Sequence, residues 1–380
     1  MIYFDNAATT GIKPPEVINA VNDALRRFSV NPGRGGYDRS VQCSEAVFKC
    51  RKKVSDLFNA DAPERVIFTA NCTTAINTVI KGVCKGHDHI VASSFEHNAV
   101  VRPLYKLKKY GAEVDFAEVI FGDSEATARS FERLIRDDTR LVICTHASNV
   151  TGEILPIEKI GRICAEKGVP FLVDAAQTAG ILDIDMKACG IDYLCIAPHK
   201  GLYSPMGTGV LISLGEIPDT LTEGGTGTLS VSYEQPIDYP ERFESGTINV
   251  PGIMGLSAGV DFVRRKTPSA IYRHEMQLMR YIYERFDAID NVVLYTPMPT
   301  VGKFVPTLSF NIRGIDSNEV AERLAKHSIA ARAGLHCASM AHRRLGTIDT
   351  GTVRICCSYH NTRPDAEKLV AAVANIVKNS

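Results

Sequence analysis

The stretch PFLVDAAQTAGILDIDMKACGIDYLCIAPHKGLYSPMGTG, residues 170–209, decides how this chain reads. It holds two short apolar runs of the kind that form buried strands. Phe171–Val173 stops at Asp174, and Tyr193–Ile196 stops just before His199-Lys200. In open α/β sheets, ligands sit beyond the carboxyl ends of the strands. An acid and a lysine at two such ends therefore face one crevice. Gly201, Gly207 and Gly209 let the backbone turn tightly beside them. A solvated Asp–Lys pair with ordinary turn glycines fits the same residues, because most Asp and Lys side chains are exposed.

Outward from this stretch, apolar runs and amphipathic segments alternate. Val66–Thr69, His89–Ala92 and Leu141–Cys144 read as strands, followed by predicted helices over 73–83, 98–110 and 157–167. That order predicts an α/β fold with a mainly parallel sheet covered by helices on both faces. Upstream, the sequence predicts a short strand, a polar turn over 5–10, a helix over 15–28, a loop over 31–36 and a helix over 45–58. After about residue 215 the pattern changes. Helices are predicted over 252–264, 270–286, 317–326 and 364–378, with strands over 292–295, 307–311 and 352–356, which is a smaller α+β unit. The expected division is an N-terminal arm over 1–14, a large domain over 15–255 and a small C-terminal domain over 256–380, with the N-terminal helix able to pack on the small domain.

The 380 residues are 45% apolar and 23% charged, as in ordinary soluble globular proteins. Forty-three basic residues balance forty-three acidic ones, which argues against a nucleic-acid binder held by charge. No apolar run reaches the roughly 20 residues that span a bilayer. MIYFDNAATT lacks the basic and apolar regions of a signal peptide. The eleven cysteines are scattered, without a CxxC pair, so neither a zinc site nor a disulfide framework is expected. Reduced thiols in a cytoplasmic protein are the expected state.

Other predicted strands also end in polar groups. Val66–Thr69 leads into Ala70-Asn71-Cys72-Thr73-Thr74 at a helix start, where hydroxyls and free N–H groups suit a phosphate. An ordinary Thr N-cap fits there too. His89–Ala92 leads to His97, which can stack on a ring or simply pack; Leu141–Cys144 leads to Thr145-His146-Ala147-Ser148-Asn149. A phosphate cradle, a histidine, an acid and a lysine at successive strand ends suggest one ligand. It carries a phosphate, a flat ring with a basic nitrogen and a carbon that reacts with an amine. Pyridoxal 5'-phosphate meets each requirement.

These residues fall in segments that resemble the class V aminotransferase superfamily, and within it the group II cysteine desulfurases and selenocysteine lyases. The segments are YFDNAATT (3–10), NPGRGG (31–36), FTANCTTAIN (68–77), FEHNAVVRPL (95–104), HASNVTGEILPI (146–157), VDAAQ (173–177), HKGLYSPMGTG (199–209), RFESGTIN (242–249), RAGLHCA (332–338) and VRICCSYHNT (353–362). The resemblance implies the type I fold of pyridoxal-phosphate enzymes, with a seven-stranded sheet in the large domain. It implies that Lys200 bonds the cofactor aldehyde, that Asp174 pairs with the ring nitrogen, that Gln177 reaches the ring hydroxyl and that His97 stacks on the ring. Thr73 and His199 would hold the phosphate, with the Cys72 backbone close by. Asn149 would lie near ring and substrate, and Ala8 near the substrate. Thr247 is similar to a residue that reaches the phosphate of a neighbouring subunit, which implies a homodimer, with Arg34 near the interface and the site mouth. Arg354 resembles the arginine that grips the substrate carboxylate, and Cys337 the cysteine that takes up sulfur as a persulfide. His336 and Arg332 are local candidates to activate it.

The implied reaction takes L-cysteine to L-alanine and passes sulfur through Cys337 to an acceptor, which a partner protein could supply. Selenocysteine lyase activity, or transaminase or lyase chemistry on another amino acid, fits the same fold. The chain departs from the pattern where Ala197-Pro198 replace the usual Ser-Gly before His199-Lys200, which removes one expected phosphate-binding hydroxyl. It departs again at Leu335 and at Ser339-Met340, beside the thiol.

Overall fold

The structure is a computed structural model that describes residues 1–33 and 35–379. The chain opens with strand β1 (Ile2–Tyr3), followed by helices α1 (Pro15–Arg27) and α2 (Asp38–Leu57). The alternating region comprises β2 (Val66–Thr69), α3 (Cys72–Val83), β3 (His89–Ser93), α4 (Asn98–Lys108), β4 (Glu113–Ala117), α5 (Ser124–Leu134), β5 (Thr139–Thr145), α6 (Ile157–Lys167), β6 (Phe171–Asp174), β7 (Tyr193–Ile196) and β8 (Gly209–Ser213). The remainder comprises α7 (Val250–Lys266), α8 (Pro268–Asp287), β9 (Val292–Leu294), β10 (Thr307–Ile312), α9 (Ser317–Lys326), β11 (Ile329–Ala330), β12 (Arg332–Gly334), α10 (Ser339–Leu345), β13 (Thr352–Cys356) and α11 (Arg363–Lys378).

Seven strands form the main sheet in the order β2-β8-β7-β6-β5-β3-β4. The run from β7 to β4 is parallel, and β8 lies antiparallel to both neighbours. Strands β5 to β8 are buried along almost their whole length, as strands covered on both faces must be, and their near-continuous apolar composition follows. The mainly parallel α/β sheet is thus as expected. A second, antiparallel sheet runs β12-β13-β10-β9, and β1 pairs in parallel with β11.

Several elements differ from expectation. Gly209–Ser213, read as the end of a glycine-rich tail, is strand β8 between β2 and β7. Gly209 is required there, because a Cβ on it would collide with the Asn71 backbone at the start of α3. The edge strand β4 and helix α5 were not expected; EVDFA exposes alternate residues and carries two acids, so it gives only a weak strand signal. Helix α2 begins at Asp38 rather than 45, because no Gly or Pro interrupts those residues and Asp38 favours a helix start.

The break expected after residue 255 falls inside α7. Buried α7 residues on both sides of it, from Val250 to Val263, belong to the main core. Helix α1 packs on α7 and places Val17 in that core. The arm ahead of α1 ties the two sheets together. Phe4 is fully buried in the core of the small sheet. Its N–H donates to the Ala330 carbonyl and its own carbonyl accepts from the Cys356 N–H, while the Thr10 N–H donates to the His199 carbonyl on the other side.

Candidate active site

The carboxyl ends of β3, β5, β6 and β7, adjacent in the sheet, open onto one cavity of about 200 Å³. It is lined by Asp174, Lys200, His199, His97, Asn149 and Gln177, together with Cys72, Thr73 and Ala8. From the small sheet come Arg354 on β13 and Arg332 on β12, with Cys337 just beyond. Thr247 is not among the lining residues. It lies in a second cleft that shares the β2–α3 turn and includes Thr69, Thr74, Thr208 and Asn249. Arg34 lies outside the described residues.

At the start of α3 the cap is Asn71, whose Oδ1 accepts from the Thr74 N–H at 2.9 Å. Thr73 is exposed and is not the capping residue, so its hydroxyl is available to an anion at this helix N-terminus. His199 is anchored through Nδ1 to Thr9 Oγ1 at 3.0 Å. Its backbone carbonyl accepts from Thr10 and from Lys13 Nζ. Ala197 is buried in the cavity wall, so no hydroxyl enters from that position.

Asp174 is buried at the end of β6. Its Oδ1 accepts from the Ala176 N–H at 2.9 Å and lies 3.8 Å from the Cys72 thiol. Burial raises its pKa, and Lys200 and the Ala176 bond pull it back down. Burial likewise lowers the pKa of Lys200, opposed by Asp174, so its amine gives up its proton more readily than an exposed lysine. His97 caps α4, with Nδ1 accepting from the Ala99 N–H at 3.0 Å. Burial first, then Lys200 and Arg354, lower it to about 4, so the ring is neutral at pH 7 with its proton on Nε2. A neutral imidazole suits a flat ligand ring better than a cation beside Lys200.

Arg354 is buried, its guanidinium held by Asp5 Oδ1 at 2.9 Å and the Asn149 carbonyl at 3.1 Å. The side chain of Asn149 donates to the His336 carbonyl at 2.7 Å, and the Asn98 N–H donates to the Cys337 carbonyl at 2.7 Å. Those two bonds tie the thiol-bearing turn to the main sheet. The turn is tight: Gly334, His336 and Cys337 all have positive φ, at 104°, 49° and 57°. That conformation is costly for non-glycine residues. Cys337 is the exposed one among eleven unpaired cysteines. His336 does not supply positive charge to it. Its Nε2 donates to the Thr352 carbonyl at 3.0 Å, and burial with the Arg354 charge drives its pKa far down. Of the two local candidates, Arg332 remains, and it lines the same cavity as the thiol.

Glu96 escaped the sequence reading, although it directly precedes His97. Its Oε1 accepts from Ser93 Oγ at 2.5 Å and from the Thr145 N–H at 2.7 Å, which joins the ends of β3 and β5 beneath the cavity. Burial pushes its carboxyl up to about 8, against about 4.3 for an exposed glutamate. Between those values the unfolded chain has lost the proton and the folded chain keeps it. Its contribution to stability is therefore full below the lower value and is lost as pH rises to about 8. Glu96→Gln cannot titrate. The stability advantage of wild type over this variant is expected to shrink between pH 5 and pH 8, by on the order of 1.4 kcal/mol per pH unit at most. Urea unfolding of both proteins at the two pH values checks this, and a constant difference contradicts it.

The donor set fits pyridoxal 5'-phosphate. Among the described residues Asp174 Oδ2 makes no hydrogen bond, Thr73 stands at a helix N-terminus without capping it, and the Lys200 amine gives up its proton more readily than an exposed lysine. Comparison with known proteins points the same way. The family model for aminotransferase class V matches residues 2–369. A probable cysteine desulfurase of Methanothermobacter thermautotrophicus is 33% identical over 378 residues, covering 97% of this chain and 92% of that protein. One from Pyrococcus abyssi is 33% identical over 390 residues, covering 100% and 95%. The apo structure of a cysteine desulfurase from Thermococcus onnurineus superposes with a TM-score of 0.91 at 32% identity, covering 100% of this chain and 95% of that one.

Proposed function

Because this chain belongs to the class V aminotransferase family, we propose that it is a pyridoxal-phosphate-dependent cysteine desulfurase, converting L-cysteine to L-alanine and taking the sulfur onto Cys337. One observation carries this reading: the exposed Cys337 lines the same cavity as Lys200, Asp174 and Arg354. A transaminase needs the last three and has no use for the thiol.

When bound, the cofactor supplies an aldehyde for the substrate amine and a ring that takes up the electron pair released at Cα. Asp174 would pair with the protonated ring nitrogen, Gln177 would serve the ring hydroxyl, and the neutral His97 imidazole would pack on the ring. Thr73, His199 and the N–H groups of α3, from Cys72 onward, hold the phosphate. Arg354 takes the substrate carboxylate, with Asn149 and Ala8 beside it. Lys200, as a free amine, removes the Cα proton and returns a proton later. The Cys337 thiolate attacks the substrate sulfur. An S–S bond forms as the Cβ–S bond breaks, the bonding pair stays on carbon, and protonation there yields alanine. The persulfide is then passed to an acceptor thiol, which a partner protein can carry.

The same reading makes the protein a homodimer in which Thr247 approaches the partner's phosphate site. Two features support it. Thr247 lies on the far side of the β2–α3 turn from its own cavity. Leu229, Val231, Tyr233 and Ile237 are 62%, 96%, 107% and 75% exposed on one segment, an apolar surface that a second subunit would cover. Among the described residues no helix is long and apolar enough to cross a membrane. Eleven unpaired thiols support a reducing, cytoplasmic setting.

The test is incubation of the yellow purified enzyme with L-cysteine, with and without a reductant. Alanine is expected in both cases, sulfide mainly with reductant, and a gain of one sulfur on Cys337 by mass analysis. Pyruvate in place of alanine, with Cys337 unchanged, would refute the proposal.

A further inference from the structure

Arg354 is among the largest fully buried side chains, and a buried guanidinium needs a charge partner and a fixed pose. Among the described residues its ion pair is with Asp5, in the arm between β1 and α1. Asp5 is placed by backbone pairing. Phe4 bonds on one side to Ala330 and on the other to Cys356, and Asp5 bridges to Cys356 on the strand that carries Arg354. Arg332 stands directly opposite Arg354 in the β12–β13 pair and pushes on it with like charge. Asp5 offsets that push and takes one N–H of Nη2, while the Asn149 carbonyl takes one of Nη1. Among the described residues the Nε–H has no partner, and each terminal nitrogen keeps a second N–H beyond these two bonds.

We propose that Asp5 is the positioning residue for substrate recognition, holding the Arg354 guanidinium so that its remaining N–H groups meet the α-carboxylate of the amino-acid substrate. The inference rests on Arg354 being the carboxylate-binding residue. Removal of the Asp5 charge leaves Arg354 facing Arg332 without compensation and free to turn. The substrate is then held less well, while the groups that move protons and sulfur stay in place.

The test is a mutant cycle on the holoenzyme, with kcat and KM measured for L-cysteine. Asp5→Asn is expected to raise KM about tenfold or more, with kcat within about threefold of wild type, as loss of ground-state carboxylate binding requires. Asp5→Glu is expected to recover most of the loss, since it restores the charge one methylene further out. In an Arg354→Gln background, Asp5→Asn is expected to add nothing. Titration of the visible cofactor spectrum with the non-reacting product L-alanine is expected to show the same weakening without turnover. If Arg354→Gln raises KM and Asp5→Asn does not, the Asp5 proposal falls and the role of Arg354 stands. If Asp5→Asn raises KM equally in both backgrounds, Asp5 acts by another route and the proposal falls. If Arg354→Gln leaves KM unchanged, the role of Arg354 and the proposal fall together. Should Asp5→Asn not fold, Asp5→Ser decides, a KM about tenfold or more above wild type supporting the proposal and an unchanged KM overturning it.

Discussion

Cys337→Ala is expected to lower sulfur release from L-cysteine by at least about a hundredfold, the scale of removing a nucleophile that forms the intermediate. The visible absorbance of the bound cofactor is expected to stay as in wild type. Both halves follow from position. The thiol sits on a turn of the small sheet, and the cofactor-binding candidates sit at strand ends of the main sheet. The turn is held by its backbone carbonyls, to Asn149 and Asn98, so loss of the side chain leaves the anchors in place. Sulfide from L-cysteine, measured colorimetrically with reductant present, gives the rate, and a full spectrum of the same sample gives the cofactor. Sulfide release at the wild-type rate removes Cys337 from the reaction.

Lys200→Ala is expected to abolish the yellow band of covalently held cofactor and to lower alanine formation by roughly a thousandfold or more. Loss of a proton-transferring group alone costs about 10² to 10⁴. Burial has already lowered the Lys200 pKa, and the Asp174 charge opposes full loss of its proton. Among the described residues no other lysine lines the cavity. Lys13 is the nearest competitor: burial lowers it to about 8, but its Nζ is committed to Thr10 Oγ1 and the His199 carbonyl, both at 2.8 Å. Persistence of the yellow band in Lys200→Ala, and its loss in Lys13→Ala, would reverse the assignment.

Asp174 and Lys200 were legible because each follows an uninterrupted apolar run, and burial of both faces of a strand writes itself as such a run. Cys337 and Arg354 were not legible that way. Neither the strain of the turn at 334–337 nor the burial of Arg354 leaves a local pattern, and only motif resemblance pointed to them. Ala197 marked a missing hydroxyl in the sequence, and the cavity wall is apolar at that point. Glu96 and Asp5 were overlooked because a buried or half-buried acid looks like any surface acid when its partners are far along the chain, as Thr145 and Arg354 are.

The sequence by itself determined the α/β class, the parallel core and the set of polar groups at the strand ends. These are local properties, carried by apolar periodicity and by the residue that ends each run. Tertiary structure alone decided that β8 lies between β2 and β7, that the N-terminal arm ties the two sheets together, and that the thiol turn lies over the ends of the main sheet. Each of these depends on hydrogen bonds between residues far apart in the chain, Phe4 with Cys356 and Asn98 with Cys337 among them. For the stretch 170–209, this settles the ambiguity of its acid and lysine. Asp174 and Lys200 line one crevice together, where burial shifts both pKa values, rather than meeting as a solvated pair.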